Sequence, residues 1–241
     1  MIGYWSEAWN EAWNGPWTEF VIAYAVFLAA HRIPMMPRLK GAAQAVLGKT
    51  GFLLAYSALS LLLLVWLIAA AGAAPFVPLW DQTPALRMVP NLVMPLAIIL
   101  VCFAIGAPNP LSFGGRTTGF DPAHPGIAGI VRHPLLWALL VWSLAHIAPN
   151  GDLAHVLLFG GFAAFSALGM PVFDARIRRR LGAEAWQNLA RATSGLPMAA
   201  LVSGRWHPRL AISPLRAGLS LTAWAAILTL HQWVIGVSPL P

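Results

Sequence analysis

Long runs of apolar residues recur along the chain, and they do not alternate with polar ones. The run LLAYSALSLLLLVWLIAAAGAA, residues 53–74, is long enough for a membrane-crossing helix, which needs about 20 residues. A strand of a membrane barrel would instead show apolar and polar residues in alternation. Six segments fit a helical span: 18–36, 51–74, 90–107, 131–148, 153–173 and 217–237. The pattern therefore predicts an all-α, polytopic membrane helix bundle with about six transmembrane helices.

The composition supports a lipid environment. Of the 241 residues, 59% are hydrophobic and 10% are charged, whereas an ordinary soluble domain has roughly 25% charged residues. The lipid bilayer is thus the first predicted partner. Cys102 is the single cysteine, so the sequence contains neither a disulfide framework nor a cysteine metal site.

The basic residues predict the orientation. If the six spans are correct, all but one of the 15 lysines and arginines fall on the same side of the membrane, the exception being Arg87. Basic residues mark the cytoplasmic side. We therefore expect a protein of the bacterial inner membrane with both termini in the periplasm. The high net charge of +7 reflects this bias and contact with anionic lipid rather than nucleic acid.

Two segments flank the spans and divide the chain. The leader, residues 1–17, places Trp5, Trp9, Trp13 and Trp17 four positions apart, which predicts a short interfacial helix or, alternatively, a face for docking a partner. A membrane core of five spans follows at 18–173. Residues 174–216 form a basic amphipathic segment for the cytoplasmic leaflet, with a solvated helix as the alternative. Residues 217–241 hold the last span and the tail.

Histidines within the apolar segments are the first candidates for chemistry. His31, His133 and His146 lie in or at the ends of predicted spans, where ionisable residues are expensive and often functional. Several histidines with few carboxylates and many aromatic residues favour haem, whose iron takes axial imidazoles, over zinc hydrolysis. Depth alone pairs His31 with His133. The alternative is structural: each histidine makes only hydrogen bonds, and His133 caps a helix between Arg132 and Pro134.

The block RHPLLW at 132–137, with Ala145-His146 and Gly151-Asp152, resembles the NnrU family of bacterial membrane proteins. The resemblance extends to FLAAHRIP in the first span and to DARIRRRLG at 174–182. It implies a role in denitrification and nitric oxide metabolism. A plant relative, 15-cis-zeta-carotene isomerase, implies a bound haem b and, as a second activity, isomerisation of an apolar polyene.

The same resemblance implies the ligands. The first-span histidine is His31 and the histidine after Ala145 is His146, so these two are the predicted axial ligands of the haem iron. His133, Arg132 and Asp152 are alternative or supporting residues. The motif implies the pair His31 and His146, whereas depth alone predicts the pair His31 and His133. We adopt the pair that the motif implies.

The RHP motif with a following acidic residue is also similar to isoprenylcysteine carboxyl methyltransferases, which use S-adenosylmethionine. Those enzymes have a pair of glutamates where this chain has a lone Asp174 followed by Ala175. Methyl transfer is therefore one alternative. Another is a non-catalytic helper that supports assembly of a nitric oxide reductase or delivers haem to it. The sequence leaves open whether the protein is an enzyme.

Overall fold

A computed structural model describes residues 15–34, 36–208 and 212–240. The described residues form helices and no strand, with isolated bridges at Pro78–Asp152 and Pro108–Arg116. The all-α prediction is confirmed. In chain order the helices are α1 (Pro16–Arg32), α2 (Pro37–Ala73), α3 (Pro84–Ala104), α4 (Ile127–Ile130), α5 (Pro134–Ile147), α6 (Leu153–Leu181), α7 (Ala183–Ala190), α8 (Ala199–Val202) and α9 (Pro214–Ile235).

Five of the described helices share the same residue type at their first position. Helices α1, α2, α3, α5 and α9 all begin at a proline, whose missing N–H costs nothing in the first turn. The side chains of Thr83 and Ser213 cap α3 and α9 by accepting hydrogen bonds from the amides of Leu86 and Arg216.

Several helices are suited to crossing a membrane. By length and apolar composition, α2, α3, α6 and α9 qualify within the described part of the chain. Helix α5 is apolar but has only 14 residues, and α1 has 17. Large apolar side chains such as Leu54, Leu62 and Val65 point outward, as expected against lipid. The chain is therefore a multi-pass membrane protein, and the count of six spans stays a prediction.

The chain divides into two units, residues 1–80 with 152–158 and residues 81–151 with 159–241. In the first unit α1 packs antiparallel to α2. The indole of Trp66 donates to Glu19 Oε1 over 3.0 Å, and the ring of His31, at the other end of α1, contacts that of Tyr56. Helix α2 is interrupted at Gly48, whose φ of 70° and ψ of 170° are not helical.

In the second unit α3 packs against α5 and α9. Arginines fasten both ends of the α3–α9 pair. Arg216, at the start of α9, donates to the carbonyls of Cys102 and Ile105 at the end of α3. Arg87, near the start of α3, donates to the carbonyls of Ser238 and Leu240 just after α9. The two helices are therefore antiparallel.

Several boundaries differ from the sequence prediction. The residues between the first two spans are helical from Pro37 onward. Helix α3 begins at Pro84 and keeps Pro90 and Pro95 inside it. Helix α6 continues past residue 173 to Leu181, so the first residues of the basic segment extend the helix rather than starting a new element. Trp5, Trp9 and Trp13 of the predicted interfacial helix lie outside the described residues.

Candidate functional site

Arg132, His133 and Asp174 form a buried polar cluster in the second unit. His133 immediately precedes α5 and its side chain is fully buried. Its Nε2 donates to Asp174 Oδ1 over 3.0 Å. The other oxygen, Oδ2, accepts a hydrogen bond from Nη1 of Arg132, which is also buried. One carboxylate on α6 therefore neutralises the arginine and orients the histidine.

A second set of contacts holds Arg132 in place. Its Nε donates to Thr193 Oγ1 over 2.9 Å, and its guanidinium lies 5.0 Å from the ring centroid of Trp186. Its backbone carbonyl accepts from Asn109 Nδ2 over 2.9 Å. With these contacts the guanidinium is bound on several sides, as a buried charge requires.

The remaining nitrogen of His133 faces Ser112. The Nδ1–Oγ distance is 3.2 Å, so both ring nitrogens have a polar partner. Neither Ser112 nor Thr193 had been predicted from the sequence, because each lies in an irregular segment far along the chain from the RHP motif. In the sequence, Asp174 stands out only as a departure from another family's motif. No spacing rule indicated its pairing with Arg132, 42 positions away.

His146 lies in the last turn of α5 among aromatic rings. Its Nδ1 is 2.8 Å from the carbonyl oxygen of Trp142. A carbonyl only accepts, so Nδ1 carries the proton and Nε2 carries the lone pair. The rings of Trp142 and Phe159 lie 5.2 and 5.3 Å from the imidazole, centroid to centroid. His146 therefore has a fixed tautomer and an apolar, aromatic surrounding.

His31, in the first unit, has the same arrangement. Its Nδ1 is 2.8 Å from the carbonyl oxygen of Phe27, which again leaves the lone pair on Nε2. The rings of Phe27 and Tyr56 lie 4.2 and 5.9 Å from its own. The two predicted ligands share this local geometry, and their pairing stays a prediction.

Asp152 is bound to His155 in the first unit. It lies just before α6, is buried, and accepts a hydrogen bond from the backbone N–H of His155 over 3.1 Å. The Nδ1 of His155 is 2.7 Å from Asp152 Oδ2. Asp152 is thus an N-terminal cap of the longest apolar helix after α2.

Other polar groups in the described residues do not form a metal site. No three histidine, cysteine, aspartate or glutamate side chains there are close enough to hold an ion. In the loop before α4, Asp121 and His124 form an exposed pair 2.8 Å apart. The hydrogen bonds that Asp121 accepts, first from His124 and then from the Ala123 amide, lower the pKa of this carboxyl.

Comparisons with known proteins place the chain in a family. Residues 19–239 match the family described as "NnrU protein". Two plant proteins named "15-cis-zeta-carotene isomerase, chloroplastic" are similar over 80 residues, at 35% identity in Zea mays and 34% in Arabidopsis thaliana. That stretch is 33% of this chain and 22% of each plant protein, so the similarity covers about a fifth of their length. No solved structure matches. Because the match spans nearly the whole chain, the protein belongs to the NnrU family.

Proposed function

We propose that this NnrU protein binds haem b, with His31 and His146 as the axial ligands. The observation that carries the proposal is the tautomer of the two imidazole rings, which leaves Nε2 unprotonated in both. In each, a backbone carbonyl holds Nδ1–H and leaves the Nε2 lone pair available. A hydrogen bond of this kind fixes the ring orientation of metal-binding histidines and raises their basicity as ligands.

The neighbouring side chains suit the group as well. A porphyrin needs apolar and aromatic walls, and both histidines have aromatic rings within 6 Å, centroid to centroid. When bound, haem supplies an iron that exchanges one electron or acts as a Lewis acid. The protein's own contribution is ligand orientation and the exclusion of water by the apolar helices.

The resemblance to the NnrU family supports a role in denitrification and nitric oxide metabolism at the bacterial inner membrane. A second candidate is isomerisation of a cis-carotene, supported by the 80-residue similarity to proteins named for that activity. Two assays separate the candidates. One measures nitric oxide consumption by membranes containing the protein, and the other follows conversion of 15-cis-zeta-carotene by chromatography.

The absorption spectrum of the purified protein tests the haem proposal. Two neutral imidazoles give a low-spin iron with a sharp Soret band and resolved visible bands on reduction. His31→Ala or His146→Ala should give a five-coordinate, high-spin spectrum or no haem. His155→Ala should keep the wild-type spectrum, because that histidine is bound to Asp152.

Two results would contradict the proposal. The first is the absence of a Soret band in wild-type protein produced with ample haem. The second is a well-folded His146→Ala variant with the wild-type spectrum while His133→Ala loses it, which would favour the pairing by depth. Binding of S-adenosylmethionine by wild-type protein that shows no haem absorption would point to the methyltransferase alternative.

A further inference from the structure

A cavity of about 310 Å³ opens in the second unit beside the buried cluster. One wall is the loop after α3, with Ser112, Gly115 and Thr117. The other is one face of α6, with Phe173, Arg176 and Arg180. We call it the arginine cavity. It shares no residue with the proposed haem ligands, so the inference below is independent of the proposed function.

The cavity carries positive charge without a matching carboxylate. Arg176 and Arg180 are four positions apart on α6, which places both on the same face. Within residues 15–34, 36–208 and 212–240, no acidic side chain forms an ion pair with either. Asp174, the nearest carboxylate along the helix, is already bound by Arg132 and His133.

The walls are held in place by other contacts. The guanidinium of Arg176 lies 5.8 Å from the ring centroid of Phe173, which lines the same cavity. Ser112 is bound to the fully buried His133. The amide of Arg116 donates to the carbonyl of Ala107 over 2.8 Å and pins the loop. A side chain at Gly115 would collide with Asn109, so the loop passes very close to it.

We infer that the arginine cavity binds a phosphate group. Guanidinium forks match phosphate oxygens in charge and geometry, and the hydroxyl of Thr117 adds a donor. Phosphate has more acceptor oxygens and more charge than a carboxylate, which suits two arginines and a hydroxyl. The cavity exceeds the volume of a single phosphate, so it leaves room for the molecule that carries it.

The phosphate has two possible sources with the same chemistry, a soluble phosphate compound or a phospholipid headgroup. Two probes distinguish them: radiolabelled inorganic phosphate in equilibrium dialysis, and a short-chain phosphatidic acid with thermal unfolding as the readout. Diacylglycerol with the same acyl chains is the control that lacks phosphate. All measurements use the full-length protein in a non-ionic detergent at low salt, where charge interactions are least screened.

The double variant with Arg176→Gln and Arg180→Gln should bind the phosphate probe more weakly than the wild type, by about tenfold or more. The matched control is Arg179→Gln together with Arg191→Gln, which removes the same charge from residues that do not line the cavity. Thr117→Phe should also abolish binding, because it fills the cavity without changing its charge.

The pattern of results decides the proposal. Tighter binding of phosphatidic acid than of diacylglycerol identifies the headgroup, and binding of inorganic phosphate alone identifies a soluble compound. The inference is overturned if neither probe binds the wild type. It is equally overturned if the control pair weakens binding as much as the cavity pair, or if well-folded Thr117→Phe binds normally.

Discussion

At the scale of single residues, Asp174 decides whether two buried polar side chains are tolerated. Arg132 and His133 are both buried, and the carboxylate bonds to each of them. Burying a charge is expensive unless it is paired and hydrogen-bonded. The stability of the cluster therefore depends on one carboxylate, which lies far along the chain from the arginine and the histidine that it binds.

Asp174→Asn should lower the free energy of unfolding by about 3 kcal/mol, because Arg132 would keep a buried charge without a counterion. Thermal unfolding in detergent measures the loss. Adding Arg132→Gln to the same protein should recover part of it, since the unpaired charge is then gone. Asp121→Asn is the control, because that exposed pair contributes little. Additive losses in the double variant would show that the two side chains are not coupled.

At the scale of elements, Gly48 divides α2 into two stretches with different surroundings. Before it, the helix carries Arg38 and Lys40; after it, Lys49 is followed by a long apolar stretch that ends at Ala73. The backbone at Gly48 has a φ of 70° and a ψ of 170°, a region that is open essentially only to glycine. The bend therefore separates a basic stretch from a spanning one.

Gly48→Ala should destabilise the protein by about 1–3 kcal/mol, through backbone strain rather than crowding, since a side chain there would meet nothing within 4 Å. Gly72→Ala in the same helix is the matched control. It also has open space but no positive φ, and alanine there should be neutral or mildly stabilising. Thermal unfolding of both variants checks the prediction, and equal stability would mean that α2 does not require the bend.

The sequence allowed the helices to be predicted but not where some of them stop. Apolar runs located the long helices, since helices in lipid satisfy their own backbone. The continuation of α6 past Asp174 was missed, because a change from apolar to basic residues marks the membrane surface and not the end of a helix. For the site, the RHP motif indicated Arg132 and His133, whereas Asp174, Thr193 and Ser112 come together only through packing.

At the scale of the whole molecule, the predicted asymmetry of basic residues has one exception, Arg87, and the structure shows what its side chain binds. Arg87 donates to the carbonyls of Ser238 and Leu240, and Asn91 beside it donates to that of Pro239. The guanidinium of Arg87 is thus hydrogen-bonded to backbone carbonyls that follow α9. Arg216 has the same role at the opposite end of the α3–α9 pair.

The distribution of all the lysines and arginines along the chain predicts an orientation with both termini in the periplasm. Alkaline phosphatase fused after Pro241 should be active, because it folds only outside the cytoplasm, and green fluorescent protein fused there should stay dark. The same reporters inserted after Thr117, in the loop between α3 and α4, should give the reverse result. Fluorescence and no phosphatase activity at Pro241 would contradict the six-span topology.

The shortness of α5 has a consequence for the surrounding lipid. Its 14 residues rise about 21 Å, whereas the hydrocarbon core of a bilayer is about 30 Å thick. If α5 crosses the bilayer, as the six-span prediction has it, either the bilayer thins beside this helix or the polar residues that precede it lie at hydrocarbon depth. His133 is suited to that depth because both its nitrogens have partners within the protein. The length of the lipid acyl chains should then affect α5: long acyl chains strain the ends of the helix, and short acyl chains relieve that strain.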